Sequence, residues 1–328
     1  MPSNASAGRI ETQDIDEHRQ VLQPWDLILR QMSPGRFGGR MEYVQVNGIL
    51  CYREHWTHRV IGTGQTPGGF FLFGGSSSPG TQIDWCGAEI HPGRLAYGRS
   101  STEVDFVIPD GSEHVALLVP EDLLRHYLGE EFVEAASLQD CHRLGCDSRL
   151  SYELVRMMHR LIDDFLAQPE LLTDERICNA IEWQLLGTLV QVLHDSNRSA
   201  RRISPRKRRM AFLRAIEYGE ALCQPIAVPE LAAAAGVSQR SLELAFRETL
   251  NVTPVRYLRW NRMNGAQRDL LAAEAGAASV KGVATDWGLV DMGRFAVEYK
   301  HLFGESPSET LRRSTRPLPK RLADVLRA

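Results

Sequence analysis

Between residues 24 and 120 the apolar side chains come in short bursts rich in aromatic and β-branched types, broken by Gly, Pro and Ser. The segments 41–46, 49–55, 59–63, 69–73, 82–85, 95–98, 102–107 and 114–119 read as strands, and 102–107 alternates. Turn signals separate them at Asn47-Gly48, Pro67-Gly68-Gly69, Pro79-Gly80 and Asp110-Gly111. Many short strands at regular spacing predict a jelly-roll or barrel-like sandwich. The Gly-rich run 74–80 reads as a loop, and residues 1–20, which lack apolar periodicity, as a loose tail. After residue 120 the period changes to that of helices. A short helix is expected at Glu121–Leu128 behind Pro120. A second, over 152–166, carries Leu154, Met158, Leu161 and Phe165 on one stripe. A long one, over 173–194, is capped by Thr173 or Asp174 and repeats Ile177, Ile181, Leu185, Thr188 and Val192. Trp183, Leu186, Leu189 and Val190 widen that apolar face. A helix apolar over so much of its girth needs two partners, either the β-domain alone or the β-domain and a second subunit.

The segment 228–250 has a different texture, two short amphipathic pieces around a tight turn. Ala232 and Ala233 lie on the first piece and Gly236 at the turn, where a residue without Cβ bends cheaply. Ser238 stands as N-cap of the second piece. Leu242 and Phe246 share a face that can pack on Leu231 and Ala235, leaving Gln239, Arg240, Glu243 and Arg247 outward. Such a pair is either an ordinary helical hairpin or a helix-turn-helix whose second helix enters a DNA major groove. The segment 280–303 repeats the layout. Val283 and Ala284 lie on its first piece, Gly288 at the turn and Asp291 as N-cap, and Phe295 and Tyr299 take the places of Leu242 and Phe246. A repeated unit is a stronger signal than either copy.

With Pro254 and Tyr257 opening the connecting segment and FGESPSETLRR (303–313) closing the second copy, residues 207–316 resemble the DNA-binding domain of AraC/XylS-type transcription regulators. Gly288, Arg294, Phe295, Tyr299, Phe303, Gly304, Ser306 and Pro307 carry the resemblance as a set. The closing segment is most like the subgroup that includes the ethanolamine-operon regulator. The resemblance implies that Arg240, Glu243, Leu244 and Arg247 read bases in the first copy, beside the helix-opening Ser238 and Gln239. Arginine can pair bidentately with guanine, and glutamate can accept from the cytosine amino group, each contact being worth ~1–3 kcal/mol of discrimination. The matching positions in the second copy, Met292, Gly293, Ala296 and Val297, depart from the family's polar pattern. They can touch a thymine methyl but cannot hydrogen-bond a base edge. Asp291, Arg294, Lys300 and His301 complete that surface, the basic ones for phosphates. The first motif is therefore expected to carry specificity and the second to position. Between them Pro254–Ala272 reads as one helix, roughly 28 Å long at 1.5 Å per residue, near the ~34 Å between successive major grooves on one face of the duplex. Gly265 inside it costs about 1 kcal/mol relative to Ala and implies close packing.

Charge sharpens the division. From residue 198 onward there are 23 basic and 13 acidic residues, a balance of +10, whereas the preceding part has 15 and 28, a balance of −13. A basic half suits nucleic acid and an acidic half suits a partner domain that stays off it. The expected organisation is a tail at 1–20, a β-rich effector-sensing and dimerisation domain at 21–196, and a basic linker at 197–209. An all-α double helix-turn-helix domain at 210–316 and a second tail at 317–328 complete an α+β chain. The linker is either a solvated tether or, through Arg206, Lys207, Arg208 and Arg209, a phosphate-neutralising arm. Cys51, Cys86, Cys141, Cys146, Cys178 and Cys223 are scattered and read as reduced thiols. The polar, acidic opening residues do not resemble a signal peptide, and no apolar run approaches membrane-spanning length, so a cytoplasmic location is expected.

For the first domain the resemblance implies a cupin-like sensor and dimer-forming module. Tyr43, Tyr52, Trp56, Trp85, Tyr97 and Phe106 are candidates to line an apolar effector pocket, or else they are core. An enzyme reading rests on His55, His58, His91 and His114 as a metal set in a barrel. However, His55 and His58, three apart on a strand, face opposite ways. The run 62–69 lacks the lysine of a phosphate loop, and no nucleophile elbow is present. No catalytic residue, cofactor or metal is assigned. Expected partners are promoter DNA and a second copy of the chain, with RNA polymerase and a small-molecule effector as candidates. A ligand-free nucleoid-type DNA binder remains the other alternative, distinguished by weak sequence preference.

Overall fold

The computed structural model describes residues 5–76, 81–129, 143–144, 149–199, 207–221, 226–273, 278–313 and 321–326. Among these, two antiparallel sheets form the first domain. One has the order β1-β3-β4-β11-β6-β9-β12, built from β1 (Ala5–Thr12), β3 (Gly39–Val46), β4 (Ile49–Trp56), β6 (Phe70–Ser76), β9 (Leu95–Gly98), β11 (Ser112–Pro120) and β12 (Arg143–Leu144). The other runs β2-β5-β10-β7-β8, with β2 (Asp26–Gln31), β5 (Val60–Gln65), β7 (Ile83–Trp85), β8 (Ala88–Ile90) and β10 (Glu103–Ile108). The expected turn Asn47-Gly48 joins β3 to β4 with both residues left-handed, φ 48° and 82°, the twist a two-residue hairpin requires.

Strand alternation explains how the layers stack. In β11, Ala116 and Leu118 face the core between the sheets, while Val115, Leu117 and Val119 face a second core under helices. That second core is closed by α2 (Glu121–Leu128), which buries Leu124, and by α3 (Arg149–Ala167) and α4 (Glu175–Ser199), which bury Leu154, Met158 and Ile162, and Ile181, Leu185 and Leu189. A sheet covered on both faces reads as apolar runs, which is why most of these strands were legible.

Three expectations fail here. Residues 1–20 are not a loose tail throughout, because β1 pairs along its whole length with β3. Then α1 (Ile15–Val21) follows, capped by Asp14, which accepts from the Glu17 N–H at 2.7 Å. Nor is 317–328 a tail throughout: Leu322–Leu326 is helical, with Leu322 and Val325 fully buried in the inter-sheet core. Its Ala323 N–H donates to the Gln23 carbonyl at 2.5 Å. The basic arm also changes. Arg209 is buried, hydrogen-bonded to Asp84 and, at 2.7 Å, to Asp105, with its guanidinium over the Phe212 ring. It serves the domain junction and is not available to phosphate. Arg208 is hydrogen-bonded to Glu248, and Arg206 lies outside the described residues.

The helical domain comprises α5 (Lys207–Ala221), α6 (Val228–Ala234), α7 (Gln239–Leu250), α8 (Pro254–Ala272), α9 (Val280–Asp286), α10 (Met292–Phe303) and α11 (Pro307–Arg313). The isolated segment Leu322–Leu326 is α12. The helical domain packs on the outer face of the five-stranded sheet, where Met32, Ile61 and Val107 join its core. The spacer α8 has the predicted limits. A Cβ on Gly265 would lie 2.3 Å from the Trp287 ring, so the close packing inferred from that glycine is real.

Candidate nucleic-acid interface

Each motif is built by the same local devices. At the first turn Val237 N–H donates back to the Ala232 carbonyl at 3.1 Å, and at the second Leu289 N–H donates to the Ala284 carbonyl at 2.8 Å. Gly236 and Gly288 take the left-handed conformation that this helix ending needs, φ 68° and 64°. Ser238 then accepts from Ser241 N–H at 3.3 Å, and Asp291 from Arg294 N–H at 3.0 Å, so each second helix starts on a side-chain cap. The copies are offset by 52 residues at the glycines but by 53 at the caps. The additional residue in the second turn is Val290, which projects 76% exposed.

Buried Leu242, Ala245, Phe246 and Leu250 fix α7, and buried Phe295, Tyr299, Leu302 and Phe303 fix α10. Rotation is thereby set, and the outward face of α7 carries Gln239, Arg240, Glu243, Leu244 and Arg247, all exposed. On α10, Gly293, Arg294, Ala296, Val297, Lys300 and His301 are exposed. Met292, expected on that face, packs against the domain core instead. Glu298 is a feature the sequence reading overlooked. It accepts from Arg294 Nε at 2.7 Å and also holds Arg259 of the spacer. Burial works against its charge, but those two arginines outweigh it and hold its carboxyl below the usual range. Arg294, the expected phosphate contact, is thus already partly neutralised from within its own helix. The i, i+4 spacing was the available signal.

Inside the sandwich a cavity of about 70 Å³ is lined by Trp25, Tyr52, Trp56, Trp85, Phe106 and Ala116, among other apolar residues, together with Glu54 and His114. Four of the six aromatic candidates therefore face it. Tyr97 lies on the opposite face of its sheet against Phe71 and Phe73, and Tyr43 is buried core outside the cavity lining. Glu54 is the polar centre. Its carboxylate sits 2.6 Å from His18 Nε2, 3.1 Å from His114 Nε2 and 3.3 Å from the indole nitrogen of Trp56, which donates to it. Burial opposes ionisation, but the hydrogen bonds from His114 and His18 hold the carboxyl down at about 2. In the neutral ring, donation from Nε2 to the carboxylate makes His114 Nδ1 an acceptor, and that nitrogen is buried without a partner among the described residues. The four histidines weighed as a metal set do not converge. His114 is in the barrel, His91 lies beside Glu89 at the surface and His58 bonds Thr57. No group of three or more His, Cys, Asp or Glu among the described residues is placed to hold a metal.

A β-sandwich with an interior cavity, joined to a helical unit with twin capped helix pairs, defines a two-domain helix-turn-helix protein. Comparison with known proteins narrows this. The AraC-binding-like domain family matches residues 16–194, more than half of the chain, and the helix-turn-helix domain family matches 231–313. The chain belongs to the AraC family of transcription regulators. It is 37% identical over 199 residues to the probable thc operon regulatory protein of Rhodococcus erythropolis, 58% of each chain being covered. It is 38% identical over 104 residues to XylDLEGF operon transcriptional activator 3 of Pseudomonas putida, 31% of each. The matches thus span 58% and 31% of those curated relatives' lengths. A solved probable AraC family regulator from Rhodopseudomonas palustris is 35% identical, covering 33% of this chain and 98% of its own, at a TM-score of 0.30. Among the described residues no helix is long and apolar enough to cross a membrane.

Proposed function

We propose that the chain is a sequence-specific DNA-binding regulator that reads two adjacent major grooves with α7 and α10, and that a small molecule in the sandwich cavity modulates it. The observation that carries this reading is the pair of capped helices, each locked by a buried face and each turning its other face to solvent. The first presents Arg240, Glu243 and Arg247, groups able to hydrogen-bond base edges. The second presents Ala296 and Val297, the latter 71% exposed, which suit thymine methyls and little else. We assign specificity chiefly to the first motif and positioning to the second, with Lys300 and His301 toward phosphate. Within the family, the closing segment 303–313 supports kinship with the subgroup that includes the ethanolamine-operon regulator.

Base-by-base substitution in a selected operator tests the assignment. Substitutions under the first helix should cost ~1–3 kcal/mol each. Arg240→Ala or Arg247→Ala should relax preference at one position, while changes under the second helix cost less. Larger losses over the second half-site would refute the asymmetry, and uniform binding to any duplex would favour the nucleoid-type alternative.

The cavity supports an effector of defined chemistry. Apolar walls and the ionised Glu54 disfavour an anion, and the unpartnered His114 Nδ1 asks for a donor. The fitting class is a compact, uncharged, mostly apolar molecule with one N–H or O–H group. A volume of about 70 Å³ is less than half the ~150 Å³ that admits benzene, so anything larger needs the walls to yield. We also propose a homodimer through α4, whose Trp183 is 66% exposed.

A further inference from the structure

Gln31 ends β2, and its register partner Val60 begins β5. Next to them Met32 N–H donates to the Arg59 carbonyl at 2.7 Å, so Gln31 and Arg59 share one corner of the five-stranded sheet. From this corner two side chains enter the helical domain. Arg59 Nη1 donates to the carbonyl of Leu250, the last residue of α7, at 2.5 Å. Gln31 Nε2 donates to the carbonyl of Leu302, in the last turn of α10, at 2.7 Å, and Gly35 N–H adds a second bond there at 3.1 Å. The final carbonyls of a helix have no intrahelical donor and favour positive charge. Here the first domain supplies that donor to both short outward-facing helices. A third contact reaches the spacer: Gln31 N–H donates to Asn264 Oδ1 at 2.8 Å, and Asn264 Nδ2 returns a bond to the Gln31 carbonyl at 3.1 Å, both buried.

The corner is itself tied down. Arg59 N–H donates to Asp110 Oδ1 and to Ser33 Oγ, each at 2.9 Å, and its guanidinium lies 3.0 Å from Asp110 Oδ2. The loop between β2 and β3 sits flush on the end of α10, since a Cβ on Gly304 would lie 3.0 Å from the Arg36 backbone nitrogen. One spacer helix sets a distance but leaves rotation about its axis and bending at its joints. Attachment of all three helices to a single sheet corner removes both freedoms.

We infer that this corner is a brace that fixes the separation and orientation of α7 and α10, making Gln31 and Arg59 determinants of the half-site spacing the protein accepts. The inference rests on reading both helices as DNA-facing. The test takes the full chain and an operator selected by it from random duplexes, then inserts or deletes one base pair between the half-sites, about a tenth of a turn. The wild type should lose affinity on the order of tenfold or more. A Gln31→Leu, Arg59→Met double variant should lose less than about threefold, with its affinity for an isolated first half-site unchanged. Spin labels at positions 243 and 297, measured without DNA, should give a narrow distance distribution in the wild type and a broad one in Arg59→Met, a single change at a partly exposed position. A variant that keeps both the steep spacing dependence and the narrow distribution overturns the brace while leaving the two-helix reading intact. A wild type that selects no sequence overturns the two-helix reading and the brace with it.

Discussion

Glu54 shows how little of a residue's role its neighbours in the chain reveal. On a strand it is an ordinary polar position, yet the fold surrounds it with His18 and His114, respectively 36 and 60 residues away. Because its folded carboxyl is held at about 2 against an ordinary value of 4.5, it contributes stability that is fully present above about 4.5 and lost as pH falls through about 2. Glu54→Gln should therefore unfold at lower urea than the wild type near neutrality, and the gap between their midpoints should shrink as pH is lowered below 4.5. A gap that stays constant into acid would show that the hydrogen bonds to the ionised carboxylate do not supply the stability. Arg209 teaches the same lesson from the other side. Locally it belongs to a basic run that reads as an arm for phosphate, but its partners Asp84 and Asp105 lie more than a hundred residues earlier. Residues whose work is local were legible: Gly236 and Gly288 at the turns, Ser238 and Asp291 as caps, Gly265 under Trp287.

At the scale of elements, periodicity served wherever one face was buried against a single layer. The spacer and both capped helices fall within a residue or so of their expected limits. β1 escaped notice because it is a half-exposed edge strand of small and polar residues, with only Ile10 and Thr12 buried. α1 did have a signal, Asp14 followed three residues later by Glu17, whose carboxylate takes the Gln13 N–H at 2.7 Å. The long helix α4 buries Leu185, Leu186, Leu189 and Val192 in the core that the sheet and α3 share, so the first domain itself covers most of its apolar girth. On the other side Trp183 stands out 66% exposed, with Tyr127 edge-on at 5.5 Å. Trp183→Ser should weaken self-association on the order of tenfold or more, since buried tryptophans dominate interfaces of this kind. Sedimentation velocity across a concentration series measures it, and an unchanged profile would overturn the homodimer proposed through this face.

Across the whole molecule, the opposite charges of the two halves do more than separate a DNA-facing part from the rest. Some of them meet: Arg209 pairs with Asp84 and Asp105, and Arg313 with Asp14, while Arg30 and Glu220 pair across the junction with the signs reversed. The junction is thus continuous with the sheet whose inner face lines the cavity, so the effector proposed above would have a mechanical route to the helices. Differential affinity must drive any such effect. A compact neutral N–H-bearing compound should raise the unfolding temperature, whereas its carboxylate analogue of equal size should not. If the compound changes operator affinity by some factor, the operator must change the compound's affinity by the same factor. Titrations in both orders check this, and unequal factors would exclude a shared equilibrium.

Domains generally fold as units, the earlier one first as the polypeptide emerges. This one does not separate so cleanly, because Leu322 and Val325 of α12 fill the interior of the first domain beside Gln23, whose neighbours Leu22 and Trp25 line the cavity. Translation must therefore pass through the entire helical unit before the sandwich receives its final stopper. A sensor excised at the linker is left unsealed at that point, and its ligand preferences would describe an opened vessel instead of the one the intact chain closes.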